Sequence, residues 1–177
     1  MLLLEDETIR LRALEPEDLD QLYRWENNSD LWELGSTLSP YSRFLLKSYI
    51  ANSHLDIYEQ KQLRLMIELL QTKEAVGTID LYDFDPRHRR AGVGILIDDT
   101  FHRKGIAGKA LRLLKQYAFS FLNLHQLYAH VPVTNEASLH LFGKEGYRIT
   151  GALSEWLATA QGYVDVNVMQ LFNENRL

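Results

Sequence analysis

Strand-period and helix-period runs alternate along this chain, which predicts a mixed α/β (α+β) fold: about seven strands in one sheet with about four helices on its two faces. Three observations carry that expectation. The longest amphipathic stretch, residues 105–122, follows directly on a strand-like run at 91–97. Two apolar runs, 63–70 and 75–82, are separated only by Gln71-Thr72-Lys73-Glu74, the length of a hairpin turn. No repeat, low-complexity tract or Pro-, Gly- or Ser-rich linker divides the 177 residues, so one domain spanning 1–177 is expected.

The elements follow in order. Thr8-Ile9-Arg10-Leu11-Arg12-Ala13-Leu14 alternates polar and apolar and reads as a half-buried strand. Pro16 opens a segment with Leu19, Leu22, Tyr23 and Glu26 at helical spacing, and Ser39-Pro40 repeats the start signal ahead of Phe44, Leu45 and Tyr49. After the hairpin, Val93, Ile95 and Ile97 share one face of a third strand. In the long helix, Ala107, Ala110, Leu111, Leu114, Ala118 and Phe121 make one apolar stripe. A strand at 127–131 and a short helix at 135–144 follow, with Gly146 as its stop; strands at 147–153 and 164–172 close the chain.

Composition excludes several function classes. With 19 Lys and Arg against 24 Asp and Glu, the net charge of −5 argues against general nucleic-acid binding, which rests on neutralising phosphates. Zero cysteines remove disulfides, a thiol nucleophile and cysteine-ligated metals, and the six histidines show no metal-ligand spacing, so no metal is expected. The start, Met1-Leu2-Leu3-Leu4-Glu5-Asp6, is too short and acidic for a signal peptide, and no apolar run approaches the ~20 residues of a membrane span. A cytoplasmic location is the expectation, with no membrane or nucleic-acid partner.

The informative stretch is Ile97-Asp98-Asp99-Thr100-Phe101-His102-Arg103-Lys104-Gly105-Ile106-Ala107-Gly108-Lys109. A strand ends, a basic, glycine-bearing loop follows, and a long helix begins. The unpaired amides of that first turn and the helix dipole favour an anion there. Cations at such a position cost ~0.3–1 kcal/mol each against the dipole. Arg103, Lys104 and Lys109 therefore point to a bound phosphate, although a solvated helix start also carries Arg and Lys. A Walker A loop fails, since Arg103 stands where its first Gly belongs and Ala110 follows Gly108-Lys109. A dinucleotide fingerprint starting at Gly92-Val93-Gly94 fails at Ile97.

His102-Arg103-Lys104-Gly105-Ile106-Ala107 resembles the acetyl-CoA loop of the GCN5-related N-acetyltransferase superfamily, with His in place of the usual Gln or Arg. The resemblance covers nearly the whole chain. It is closest to bacterial spermidine N-acetyltransferases, through Leu11-Arg12-Ala13-Leu14-Glu15-Pro16-Glu17-Asp18-Leu19, His88-Arg89-Arg90-Ala91, Phe121-Leu122-Asn123-Leu124-His125 and Gly162-Tyr163-Val164-Asp165. Asn135-Glu136-Ala137-Ser138 with Lys144-Glu145-Gly146-Tyr147 has the spacing of the family's Asn helix; Ser138 matches a Ser of the related ribosomal-protein N-terminal acetyltransferases. The resemblance implies the acyl-CoA N-acyltransferase fold and a homo-oligomer such as a dimer. It implies transfer of acetyl from acetyl-CoA to a primary amine by direct attack in a ternary complex. Acetyl-CoA would be held by Ile95, Leu96 and Ile97, by His102, Arg103, Lys104, Gly105, Ile106, Ala107 and Gly108, and by Asn135 and Ser138. Ser138 reads equally as a first-turn hydroxyl, whereas for Asn135 the functional reading stands ahead of the helix cap.

The amine must lose a proton and the tetrahedral oxyanion needs a donor, here a backbone N–H near Leu96 or Ile97. Asp83 is the candidate base; Asp83 and Asp85, at i and i+2, should share a face of a strand end, although 80–90 also reads as a charged turn. Asp80 and Asp83 fall where the spermidine enzymes carry Glu, whereas Gly92 stands where many family members have the Glu base. The family's thiolate-protonating Tyr is replaced by Phe142, which leaves Ser138, a water or Tyr163 as donor. The paired acids that precede Pro-Tyr in polyamine acetyltransferases are absent from Leu38-Ser39-Pro40-Tyr41, and Glu26, Asp30 and Glu33 keep that region only loosely acidic. The expected acceptor is a polyamine such as spermidine; alternatives are a peptide N-terminus or another small amine. The aromatics Tyr23, Trp25, Trp32 and Tyr41 are candidates to line its pocket or to fill the core. A reading of another class is a catalytically weak acyl-CoA-binding protein.

Overall fold

The computed structural model describes residues 3–34 and 37–175. It contains strands β1 (Ile9–Arg12), β2 (Leu63–Leu69), β3 (Ala75–Asp85), β4 (Arg90–Ile97), β5 (Gln126–Pro132), β6 (Arg148–Thr159) and β7 (Gly162–Phe172). The helices are α1 (Leu19–Glu26), α2 (Arg43–Asn52), α3 (Ile57–Gln60), α4 (Ile106–Ser120) and α5 (Glu136–Lys144). The strands form one seven-stranded sheet in the order β1-β2-β3-β4-β5-β7-β6, in which only the β4–β5 pair is parallel. The mixed sheet covered by helices is the architecture that the periodicities predict.

On one face, Ile79, Leu81, Val93, Leu127, Ala129 and Met169 pack beneath Ala110, Leu111, Leu114 and Ala118 of α4. The α4 stripe is thus the buried one, except that Ala107 is only half-buried and Phe121 lies beyond the helix end, 63% exposed and stacked on Tyr117. On the other face a smaller core of Leu14, Leu22, Trp25, Leu46, Ile50 and Met66 joins α1 and α2 to the sheet. Gly146 (φ 95°) ends the α5 segment in the left-handed conformation expected of a stop.

Four local expectations are corrected. The α2 cap is Ser42, which accepts the Leu45 N–H at 3.0 Å, rather than Ser39. The reason is distant: the Asn27 side chain accepts the Tyr41 N–H (2.8 Å) and donates to its carbonyl (3.1 Å), holding that backbone out of the helix. Pro16 opens a 3-10 turn, Pro16–Asp18, before α1 begins. β6 extends to Thr159 because β7 continues to pair with it, through two register shifts. Asp83 and Asp85 do not sit as simple i, i+2 neighbours: β3 bulges between Tyr82 and Asp85, with Asp83 in the left-handed region (φ 47°). The bulge arises because the Phe84 N–H goes to the Lys61 carbonyl (2.9 Å) instead of the ladder, while the Phe84 ring is buried edge-on against Tyr58.

Asp98, where β4 ends, ties the two faces together. Its carboxylate accepts from the Trp25 indole (2.9 Å), Arg24 (2.5 Å) and the Thr100 hydroxyl (2.7 Å). Burial alone would raise its pKa, but those donors hold it down at about 2. A depressed folded-state pKa adds stability that is complete above the unfolded value near 4 and disappears as pH falls through about 2. Asp98→Asn is therefore expected to lower stability by about 2 kcal/mol at neutral pH, with the deficit shrinking toward pH 2 in urea titrations.

Candidate active site

β4 and β5 pair only at Arg90, Ala91 and Gly92 with Gln126, Leu127 and Tyr128, although the strands run on to Ile97 and Pro132. Beyond Gly92 the sheet is split. The Asp98 N–H bonds the Val76 carbonyl (2.8 Å), and antiparallel alternation then turns the Leu96 amide toward β3 and those of Ile95 and Ile97 toward the split. Of the two oxyanion donors expected from the sequence, Leu96 is thus directed to the ladder and Ile97 to open space. The Ile97 carbonyl on that side is met by His102 Nε2 at 2.9 Å.

The split leads into the loop before α4. A 3-10 turn at Asp99–Phe101, then left-handed backbone at Arg103 (φ 61°) and Gly105 (φ 74°), swings the chain into the helix. The amides of Ile106, Ala107 and Gly108 have no carbonyl to bond in the preceding turn, so three donors and the positive helix end converge there. Of the basic residues, Lys104 lies over the Phe101 ring (4.7 Å), and Lys109 donates to the Thr8 hydroxyl (2.7 Å), away from this concentration of amides. Gly108 answers to packing as well: a Cβ there would stand 2.7 Å from Glu145 Oε1, which Arg112 holds at 2.6 Å.

Where the strands part, aromatic rings take the space above β4. Tyr82 on β3 and Tyr128 on β5 both lie level with Gly92. A Cβ at Gly92 would be 2.3 Å from the Tyr82 ring, so only glycine admits it. Burial pushes the Tyr82 phenol up to about 12, partly offset by the His130 backbone N–H on β5. On the same face, Arg64 grips Asp80 with two nitrogens (both 2.8 Å) and Glu26 with a third (2.5 Å). Asp80 is thereby spent, and Asp85 faces Arg90 at 3.3 Å. Asp83 is exposed on its bulge and has no ion-pair partner among the described residues.

On α5, the Asn135 side chain accepts the Ser138 N–H (3.1 Å), so Asn135 is a cap. Ser138 lies one turn before Phe142 on the same helix face. Phe142 is buried edge-on against Tyr147, whose hydroxyl burial shifts well above the usual phenol range. Each sequence-named aromatic has a structural partner: Trp25 serves Asp98, Trp32 donates to the Glu26 carbonyl (3.0 Å), Tyr41 is pinned by Asn27 and Tyr23 carries Arg43 on its ring. Tyr163 is exposed on β7, and the Glu33 side chain lies outside the described residues. Tyr82 escaped sequence reasoning; its only signal was an unexplained glycine at 92.

The family described as acetyltransferase (GNAT) domain matches residues 8–148. The chain is 32% identical over 146 residues to spermidine N(1)-acetyltransferase of Escherichia coli (strain K12), covering 82% of this chain and 76% of that one. It is 30% identical over 169 residues to the Vibrio cholerae enzyme of the same name, covering 96% and 95%. The crystal structure of spermidine N-acetyltransferase from Vibrio cholerae in complex with CoA and spermine superposes with a TM-score of 0.83 at 29% identity, covering 94% of this chain and 96% of that one.

Proposed function

The chain belongs to the acetyltransferase (GNAT) domain family, and from that membership we propose that it moves acetyl from acetyl-CoA to a primary amine of a polyamine such as spermidine. The relatives that act on spermidine, one of them solved with CoA and spermine, support both substrates. The observation that carries the reading is the β4 edge left free at Ile95 and Ile97, running straight into the open amides of Ile106, Ala107 and Gly108. An extended thioester arm can pair with the first while its diphosphate is met by the second. Ile95, Leu96 and Ile97, with His102, Arg103, Lys104 and Gly105 of the loop, form the cosubstrate side, and Asn135 and Ser138 flank it.

The neutral amine attacks the thioester carbonyl, forming C–N; its proton passes to Asp83, directly or through water. A β4 N–H turned to the split stabilises the oxyanion, and Ile95 lies nearer the Asp83 end than Ile97, which stands five residues, about 16 Å, from Gly92. Collapse breaks C–S, and the thiolate leaves with a hydrogen bond from the Ser138 hydroxyl and takes its proton from water, because Phe142 has none to give. A thiol pKa near 8.5 makes this demand mild. A cytoplasmic location and a homo-oligomer complete the reading; a related Vibrio cholerae enzyme has a dodecameric structure, and a dimer is the smallest assembly expected here. No described helix is long and apolar enough to cross a membrane.

Purified protein with acetyl-CoA is expected to release free thiol with spermidine, and Ser138→Ala to lower kcat about 10–100-fold. Release with N-terminal peptides alone would move the acceptor to protein. CoA binding without release for any amine would favour an acyl-CoA-binding protein, the reading that the missing hydroxyl at Phe142 supports. Unchanged turnover in Ser138→Ala would remove Ser138 from the reaction.

A further inference from the structure

Tyr82, Tyr128 and His130 form a continuous aromatic row beside the β4–β5 split. The first two rings meet edge to face at 6.0 Å, and Tyr128 and His130 lie 5.5 Å apart. The row exists because Gly92 has no side chain, and Tyr82 and Tyr128 are both half-buried rather than sealed in a core. The other ionic groups around it are largely committed. Arg64 neutralises Asp80 from behind, and Asp85 is paired with Arg90. The uncommitted charge is the carboxylate of Asp83, next in sequence to Tyr82 and close enough to burden both phenols electrostatically.

We propose that this row, with Asp83 at its edge, is the seat that recognises the acceptor as an alkylammonium ion, the Tyr82 and Tyr128 rings supplying cation–π contacts and Asp83 the single countercharge. Ring faces attract a cation through their quadrupole, and most strongly where the rings are partly buried, as Tyr82 and Tyr128 are. One free carboxylate fits one ammonium group at a time. The site therefore selects for a positively charged alkyl head, without the two fixed acidic ends that would measure the length of a polyamine. The inference deepens the reading of this site as an amine acetyltransferase. Its test must work whether or not turnover occurs.

The probe is a quaternary alkylammonium, which has no N–H and cannot be acetylated, compared with its neutral tert-butyl isostere. Binding is followed by ring-proton NMR shifts on the full chain, with and without CoA. The quaternary ion is expected to bind at least tenfold tighter than the isostere and to shift the Tyr82 and Tyr128 ring signals. Tyr82→Phe should keep that preference, whereas Tyr82→Leu should reduce it at least fivefold, CoA affinity serving as the check on folding. Equal affinity for ion and isostere in the unmodified protein, or equal loss in Tyr82→Phe and Tyr82→Leu, would overturn the proposal. An absence of thiol release, with the ion still preferred, would instead strike at the acetyltransferase reading and leave the seat standing.

Discussion

Gly105→Asp is expected to lose at least 10²-fold in affinity for CoA, while Gly105→Asn stays within about fivefold of the parent protein. Gly105 holds φ 74° at the mouth of α4, and nothing lies within 4 Å of where its Cβ would stand. Asn and Asp are the side chains that best tolerate left-handed backbone, so both should fold. An Asp at a helix N-cap gains from the dipole by about 0.3–1 kcal/mol, so the apoprotein should melt no lower than with Asn. The two variants are nearly isosteric and differ by one negative charge. Placed about 5 Å from a diphosphate charge at an effective dielectric near 20, it repels by about 3 kcal/mol. Calorimetry with CoA separates the cases; equal affinity for the two variants would mean that the phosphates lie elsewhere.

Asp83→Asn is expected to cut kcat by about 10²–10⁴-fold while leaving the KM for acetyl-CoA and the melting temperature close to the parent values. The substitution is clean for structural reasons. Asp83 is exposed, makes no ion pair among the described residues, and sits at φ 47°, where Asn is at least as comfortable as Asp. Asp85→Asn is the companion control: its side-chain oxygen can still accept the His88 N–H (2.9 Å), and it loses the part-exposed ion pair with Arg90 at 3.3 Å. Steady-state kinetics at saturating acetyl-CoA reads the difference. A kcat for Asp83→Asn within threefold of the parent would transfer the base role to solvent or to another group.

What could be read in advance was whatever depends on near neighbours. β2, β3 and β4 are apolar runs bounded by turn residues and were visible, as was α4, whose stripe repeats every three to four residues. The anion loop was legible because a glycine and open helix amides carry their chemistry locally. The unreadable features were those set by partners far along the chain. Asn27 decides where α2 starts, and the Lys61 carbonyl makes the bulge that carries Asp83. Tyr82 reached the site only because register places it level with Gly92 and Tyr128. Arg64, reading as a plain strand cation, is the group that takes Asp80 and Glu26 out of play.

The short β4–β5 seam has a mechanical consequence. Four strands on one side and three on the other are stitched by three residue pairs, and the shared apolar layer beneath α4 holds the rest. In the proposed reading, an extended ligand that pairs with the β4 edge joins the two halves of the sheet. Resistance to melting is then expected to rise with the logarithm of the concentration of that ligand.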